Sequence, residues 1–176
     1  MYLFRQGGDS QSKVQVVGSG AILREVIDAS HIMEQDFGVA SDIWSATRYT
    51  ELIRDVEDCA RWNLLNPEKE PRIPWVTGCL TDHKGPVVAA SDYVRGFADQ
   101  IRGFLPQSDF IVLGTDGFGR SDTREMLRRF FEVDRYNVAY AALYALYRQG
   151  LLSQGDLLSA RSKLGVDPDK LNPVTV

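Results

Sequence analysis

The stretch KVQVVGSGAILREV, Lys13 to Val26, decides how this chain is read. Lys13 to Val17 is rich in β-branched residues and runs straight into Gly18-Ser19-Gly20, a strand followed by a tight turn. From Ala21 to Phe37 the apolar residues Leu23, Val26, Ile27, Met33 and Phe37 fall on one side of a helix of period 3.6, and Gly38 ends it. Such a helix needs a sheet to pack on. Val39 to Ala46, VASDIWSA, supplies a second strand, so the opening residues form a β-α-β unit of the right length for a parallel crossover.

The same alternation continues downstream. Tyr49 to Leu65 carries Leu52, Ile53, Val56, Ala60 and Leu64 at helical spacing, and Asn66-Pro67 stops it. The three prolines of PEKEPRIP, Pro67 to Pro74, mark a surface excursion, after which a short helix runs from Trp75 to Leu80. Pro86 to Ala90 reads as a buried strand. Ser91 is positioned to cap a following helix with the stripe Val94, Phe97, Ala98, Ile101 and Leu105, closed by Pro106. Asp109 to Gly114 is another strand, and Asp122 with Glu125 forms a capping-box-like start for a helix through Phe131. Arg135 to Gln149 is an alanine-rich helix, and Ser153 caps the last one, Gln154 to Leu164. The expected fold is α/β in three layers, a mostly parallel mixed sheet of four or five strands with helices on both faces. One domain is expected to span residues 1–176.

Composition narrows the function classes. Apolar residues make up 44% and charged residues 25%, so the chain should fold. Twenty Lys and Arg stand against 24 Asp and Glu, a net charge of −4, and the basic residues are scattered. Neither nucleic acid nor an acidic lipid surface is an expected partner. No apolar run approaches the roughly 20 residues of a membrane span, and MYLFRQGGDSQSK lacks the features of a signal peptide, so a cytoplasmic location is expected. Cys59 and Cys79 have no CxxC spacing and read as buried small apolar residues.

Several segments tempt a chemical reading. Gly18 and Gly20 supply the first two glycines of GxGxxG between a strand and a helix, but Leu23 takes the place of the third, while Asp42 falls near the position of a ribose-binding acid. Gly18, Ser19 and Gly20 are therefore candidates for an anion-binding turn or for a structural one. Gly114-Thr115-Asp116-Gly117 approaches the GDG of a metal and diphosphate motif, but Thr115 replaces its first glycine and Asn137 comes at the wrong distance for a metal loop. The segment DGFGRSDTRE, Asp116 to Glu125, combines glycines, an exposed-looking Phe118 and two arginines between a strand and a helix. Asp116, Gly117, Phe118, Gly119, Arg120, Ser121 and Arg124 form the candidate interface, since loops at the carboxyl ends of strands build the crevice of an open α/β sheet. His31 and His83 lack a nucleophile nearby, although Asp82 adjoins His83. Tyr136, Tyr140, Tyr144 and Tyr147 make a helical stripe suited to packing. No residue is assigned to catalysis, cofactor or metal.

Read together, KVQVVGSGAILREV, SDIWSATRYTELIRDVEDCARWNLLNP, PVVAASDYVRGFADQIRGFLP, FIVLGTDGFGRSDTREMLRRFFEVD and LGVDPDKLNP resemble homodimeric pyruvate dehydrogenase E1 components. The similarity runs in fixed order from about Met1 to Pro173 and includes the unusual pairs Arg61-Trp62 and Phe118-Gly119. The resemblance implies the third, carboxy-terminal domain of a transketolase-like enzyme whose thiamine diphosphate and magnesium sit between its first two domains. It further implies a parent that decarboxylates pyruvate and passes the two-carbon unit to a lipoyl group. The implied partners are the other E1 domains, a second E1 subunit and the dihydrolipoyl acetyltransferase component. The rival expectation is a stand-alone nucleotide- or anion-binding regulatory domain using the Gly18-Ser19-Gly20 turn. An excised domain of this kind is also expected to self-associate through apolar residues near Phe118 and on the tyrosine-bearing helix.

Overall fold

The computed structural model describes residues 1–107 and 109–176. Its five strands are β1 (Tyr2–Arg5), β2 (Lys13–Gly18), β3 (Ala40–Ser45), β4 (Val87–Ala90) and β5 (Phe110–Leu113). They form one sheet in the order β1-β3-β2-β4-β5, in which β1 is antiparallel to β3 and every other pair is parallel. The mostly parallel mixed sheet expected from the sequence is therefore present.

Among the described residues seven helices surround it: α1 (Leu23–Phe37), α2 (Tyr49–Leu65), α3 (Trp75–Leu80), α4 (Arg95–Asp99), α5 (Arg124–Phe130), α6 (Arg135–Arg148) and α7 (Gln154–Lys163). Strand side chains alternate between the two faces. Val14, Val16, Ile43 and Val88 meet Val26, Ala29 and Met33 of α1, Ala139, Ala142 and Leu146 of α6, and Leu157 of α7. Val17, Trp44, Val87, Ala89 and Phe110 meet Leu52 and Val56 of α2, Val76 and Leu80 of α3 and Ala98 of α4. Burial on both faces explains why the strands read as nearly continuous apolar runs. The alanines of α6 let its backbone approach the sheet closely, and Gly38, in the left-handed conformation, ends α1 as expected.

Four local expectations need correction. Strand β1 is an addition, because four residues ahead of a polar, glycine-containing stretch show too little alternation to mark an edge strand. Ser91 does not cap a long helix; its hydroxyl accepts from the Tyr93 amide at 3.1 Å, and the helical stretch splits into α4 and a 3-10 turn at Arg102–Phe104. Gly96 and Gly103 lie in that stretch, each costing a helix about 1 kcal/mol relative to alanine. Thr123, one residue after Asp122, is the cap of α5, its hydroxyl accepting from the Met126 amide. Ala60 and Leu64 of α2 are exposed, Leu64 at 80%, so neither belongs to the core stripe, which Cys59 continues instead. Cys59 is buried and Cys79 half-buried.

Candidate interface at the carboxyl edge of the sheet

Parallel pairing gathers the loops after β2, β3, β4 and β5 on one edge. The ladder extends into them: the Ser19 amide donates to the Ala90 carbonyl at 3.2 Å, and that of Ser91 to Leu113 at 3.1 Å. The segment after β5 is held firmly. Thr115 donates through its amide to the Tyr93 carbonyl at 3.0 Å and through its hydroxyl to that of Asp92 at 2.8 Å. Asp116 accepts from the amide and the guanidinium of Arg95 at the start of α4. Gly117 has φ +101°, and a β-carbon there would stand 2.7 Å from the carbonyl oxygen of Pro173. Glycine is thus required both by the backbone conformation and by the close passage of the carboxy-terminal segment.

From this pinned loop Phe118 projects with 79% of its surface exposed. A cavity of about 500 Å³ lies beside it, lined by Ala21, Leu127, Phe131 and Val133 and by the arginines 120, 124 and 128. Of the candidate interface residues, Asp116 is turned into an internal ion pair, whereas Gly117, Phe118, Gly119, Arg120, Ser121 and Arg124 are exposed.

Helix α5 forms the far wall, and none of its residues is buried. Ion pairs tether it. Arg128 donates to Glu25 of α1 at 2.8 Å, while Arg129 reaches the Gly165 carbonyl and Asp134. Glu25, 3% exposed, also accepts from the amide and Nε of Arg135 at 3.1 and 3.0 Å, and Arg135 pairs with Asp28 at 2.7 Å. Burial pushes the Glu25 carboxyl up, but hydrogen bonds and charge from Arg135, with Arg128 behind, outweigh it and hold the group below its ordinary value. A second cleft, about 580 Å³, opens here between Arg24, Arg124, Arg128, Arg129 and Arg135. Sequence reading missed the roles of Glu25, Arg128 and Arg135; the only local signal was the density of arginine between Arg120 and Arg135.

The Gly18-Ser19-Gly20 turn lies on the same edge. A β-carbon at Gly18 would stand 2.7 Å from Cα of Leu23 and 2.9 Å from its Cδ1, so the residue in the place of the third glycine packs directly against the first. A 3-10 turn, Gly20–Ile22, leads into α1, its Ile22 amide donating to Ser19. Asp92 comes within 3.4 Å of the β-carbon position at Gly20, which places a carboxylate beside the turn.

Asp42, read from sequence as near a ribose-binding position, lies at the opposite, amino edge and is fully buried. Its carboxylate accepts from Lys13 at 2.9 Å, the Gly7 amide at 2.9 Å, Gln15 at 3.1 Å and Nδ1 of His83 at 2.8 Å. Gln15 in turn accepts from Trp44 Nε1 and donates to the Lys84 carbonyl. Burial raises the Asp42 carboxyl, and the bonds from His83, Lys13, Gly7 and Gln15 more than reverse that, leaving it below the ordinary range. His83 therefore pairs with Asp42, distant in sequence, and not with its neighbour Asp82. His31 is exposed and contacts the Arg5 guanidinium at 2.7 Å. Tyr140 and Tyr147 pack on the core, while Tyr136 and Tyr144 are 43% and 41% exposed.

The residues present do not fit a thiamine diphosphate and metal site. Asp116 is engaged by Arg95, and Asn137 donates to Asp134 at the start of α6. Among the described residues no group of three or more His, Cys, Asp or Glu is placed to hold a metal ion. Nor is any described helix long and apolar enough to cross a membrane.

The transketolase-like TK C-terminal domain family model matches residues 1–134, and the chain belongs to that family. Its curated relatives include the pyruvate dehydrogenase E1 component of Cupriavidus necator, 50% identical over 100% of this chain and 20% of that protein. Those of Escherichia coli K12 and Pseudomonas aeruginosa are 48% and 45% identical over 93% and 99% of the chain. The chain spans about a fifth of the length of these relatives. Among solved structures, a split-gene transketolase described as an inactive β4 tetramer matches 81% of this chain and 42% of its own, with TM-score 0.52 and 15% identity. Transketolase from Leishmania mexicana matches 81% of this chain and 17% of its own at 0.50, also with 15% identity. These two likenesses concern the fold alone.

Proposed function

We propose that residues 1–176 form one unit, the carboxy-terminal, dimer-forming domain of a pyruvate dehydrogenase E1 component, and that the edge around Phe118 meets other domains or the second subunit. The observation that carries this reading is identity of 50% along the whole chain to an E1 component, combined with a carboxyl edge built from an exposed aromatic, arginines and an uncovered helix. The parent protein is then a cytoplasmic oxidoreductase at the exit of glycolysis. It decarboxylates pyruvate and hands the acetyl unit to the lipoyl group of the dihydrolipoyl acetyltransferase component. Thiamine diphosphate and magnesium belong to the domains outside this chain. Here the residues supply position, not chemistry: the Arg95–Asp116 pair and the Gly117 contact hold the loop, and the Glu25–Arg128 pair holds α5.

Calorimetric titration of thiamine diphosphate with magnesium into the 176-residue chain, followed by a pyruvate decarboxylation assay, tests this assignment. Silence in both is expected. Saturable binding or turnover would place the cofactor site inside this chain and sink the proposal.

A further inference from the structure

We propose that the surface formed by Phe118, α5 and the two clefts flanking it docks an acidic, apolar polypeptide segment from outside residues 1–176. Such a segment carries a large apolar side chain beside one or more carboxylates. The proposal rests on the interface reading above and adds the chemistry of the partner.

Three observations converge on it. The first is α5 itself, seven residues long with none buried. Isolated helices shorter than about 12–15 residues are marginal in water, yet this one presents Met126 at 54% exposure, with Leu127 and Phe130 only half-buried. Ion pairs through Arg128 and Arg129 hold it, and its apolar side chains are only partly covered by the described residues. The second is Phe118, exposed but carried on a loop fixed at Thr115, Asp116 and Gly117. A rigid aromatic loses little freedom on docking and suits the role of an anchor.

The third observation is charge. Asp92 is the one acid lining the 500 Å³ cavity, against Arg120, Arg124 and Arg128. Arg128 is neutralised by Glu25, whereas in the second cleft, whose five arginines outnumber its acids Glu25, Glu125 and Asp134, Arg24 and Arg124 have no ion-pair partner among the described residues. Arg120 stacks over the Phe130 ring, 4.5 Å from its centroid, so cation and apolar surface are interleaved. A small anion would answer the arginines and leave Phe118 and Met126 in water. An apolar segment would cover those two and strand the arginines. Only a segment with both answers both, and the relatives are about five times the length of this chain, which provides the source.

The test uses the intact protein. Phe118 is replaced by the photo-crosslinking analogue p-benzoylphenylalanine, the protein is irradiated, and the linked peptide is identified by mass spectrometry. The expected product joins position 118 to a peptide outside residues 1–176 that has Asp or Glu beside an apolar residue. Arg124→Glu lowers its yield about tenfold, and Asp/Glu→Arg in the linked peptide restores it in the Arg124→Glu background. Arg124 is exposed and unpaired, so an unchanged melting temperature certifies that the fold is intact. A link to a segment without acidic residues, to a second copy of residues 1–176, or one indifferent to Arg124→Glu overturns the proposal but leaves the interface reading standing. Absence of any link beyond the chain overturns both.

Discussion

The two edges of the sheet handle charge in opposite ways. At the amino edge every hydrogen-bonding partner of the fully buried Asp42 comes from within the chain, and the group ties β2, β3 and the loops at Gly7 and His83 into one unit. At the carboxyl edge Glu25 is equally well satisfied, but the arginines around it outnumber the acids they meet, and Phe118 points into solvent. One edge is closed by the fold. The other leaves an aromatic and arginines in solvent. A buried ion that loses its partners is expensive, whereas an exposed arginine or aromatic costs almost nothing in isolation, so the same substitution type has opposite consequences at the two ends.

The largest effect is expected from Asp42→Ala. It leaves Lys13, His83, Gln15 and the Gly7 amide without their acceptor, and breaking a buried pair of this kind costs about 3–5 kcal/mol. In a protein of this size that corresponds to a fall in Tm of roughly 10 °C; urea denaturation showing a loss under about 1 kcal/mol would break the contrast between the edges. Next comes Gly18→Ala. Its methyl group would collide with Leu23 at the start of α1, for an overpacking cost of about 1–3 kcal/mol. An unchanged midpoint would mean that α1 shifts freely and that the turn is not a packing constraint.

Acid should act through Asp42 and Glu25 together. Both carboxyls lie below their ordinary values in the folded chain, so as pH falls below about 4.5 the unfolded chain takes up protons first. Their stabilisation is fully present above that pH and drains away as pH falls through the folded-state values. Urea midpoints compared at pH 3.5 and pH 7 should fall with acid, and Asp42→Asn should flatten the difference. A slope unaffected by that substitution would remove Asp42 from the acid response. The smallest effect on the chain itself is expected from Phe118→Ser, within about 0.5 kcal/mol of the original stability. Unchanged stability would sharpen the comparison, since it separates an aromatic exposed on a fixed loop from one kept for folding. A destabilisation above 1 kcal/mol would show that Phe118 belongs to the core after all.

Much of this architecture was legible in the residues taken a few at a time. KVQVV, PVVAA and DFIVLG announce strands buried on both faces, and the periodicity of Leu23 to Phe37 announces the helix that covers one of them. The position of the loop that follows β5 was legible too, because a strand ending at Gly114 and a helix start near Thr123 place the segment between them at the carboxyl edge. The capping residue of α5 was missed by one position, since Asp122 and Thr123 are both good caps and only the chain geometry chooses.

What the sequence by itself determined, then, is the set of elements and the faces they bury, because burial of a face imprints a period that neighbouring residues display. Only the tertiary structure decided which distant groups meet. Asp42 finds Lys13, Gly7 and His83, and Glu25 finds Arg128, 103 positions away, because parallel pairing brings those loops to one edge or the other. The same holds for β1, whose four residues become a strand only when the free edge of β3 is there to pair with them. Periodicity is a local consequence of burial; the matching of charges depends on which segments the sheet order makes neighbours, and no short stretch of sequence carries that order.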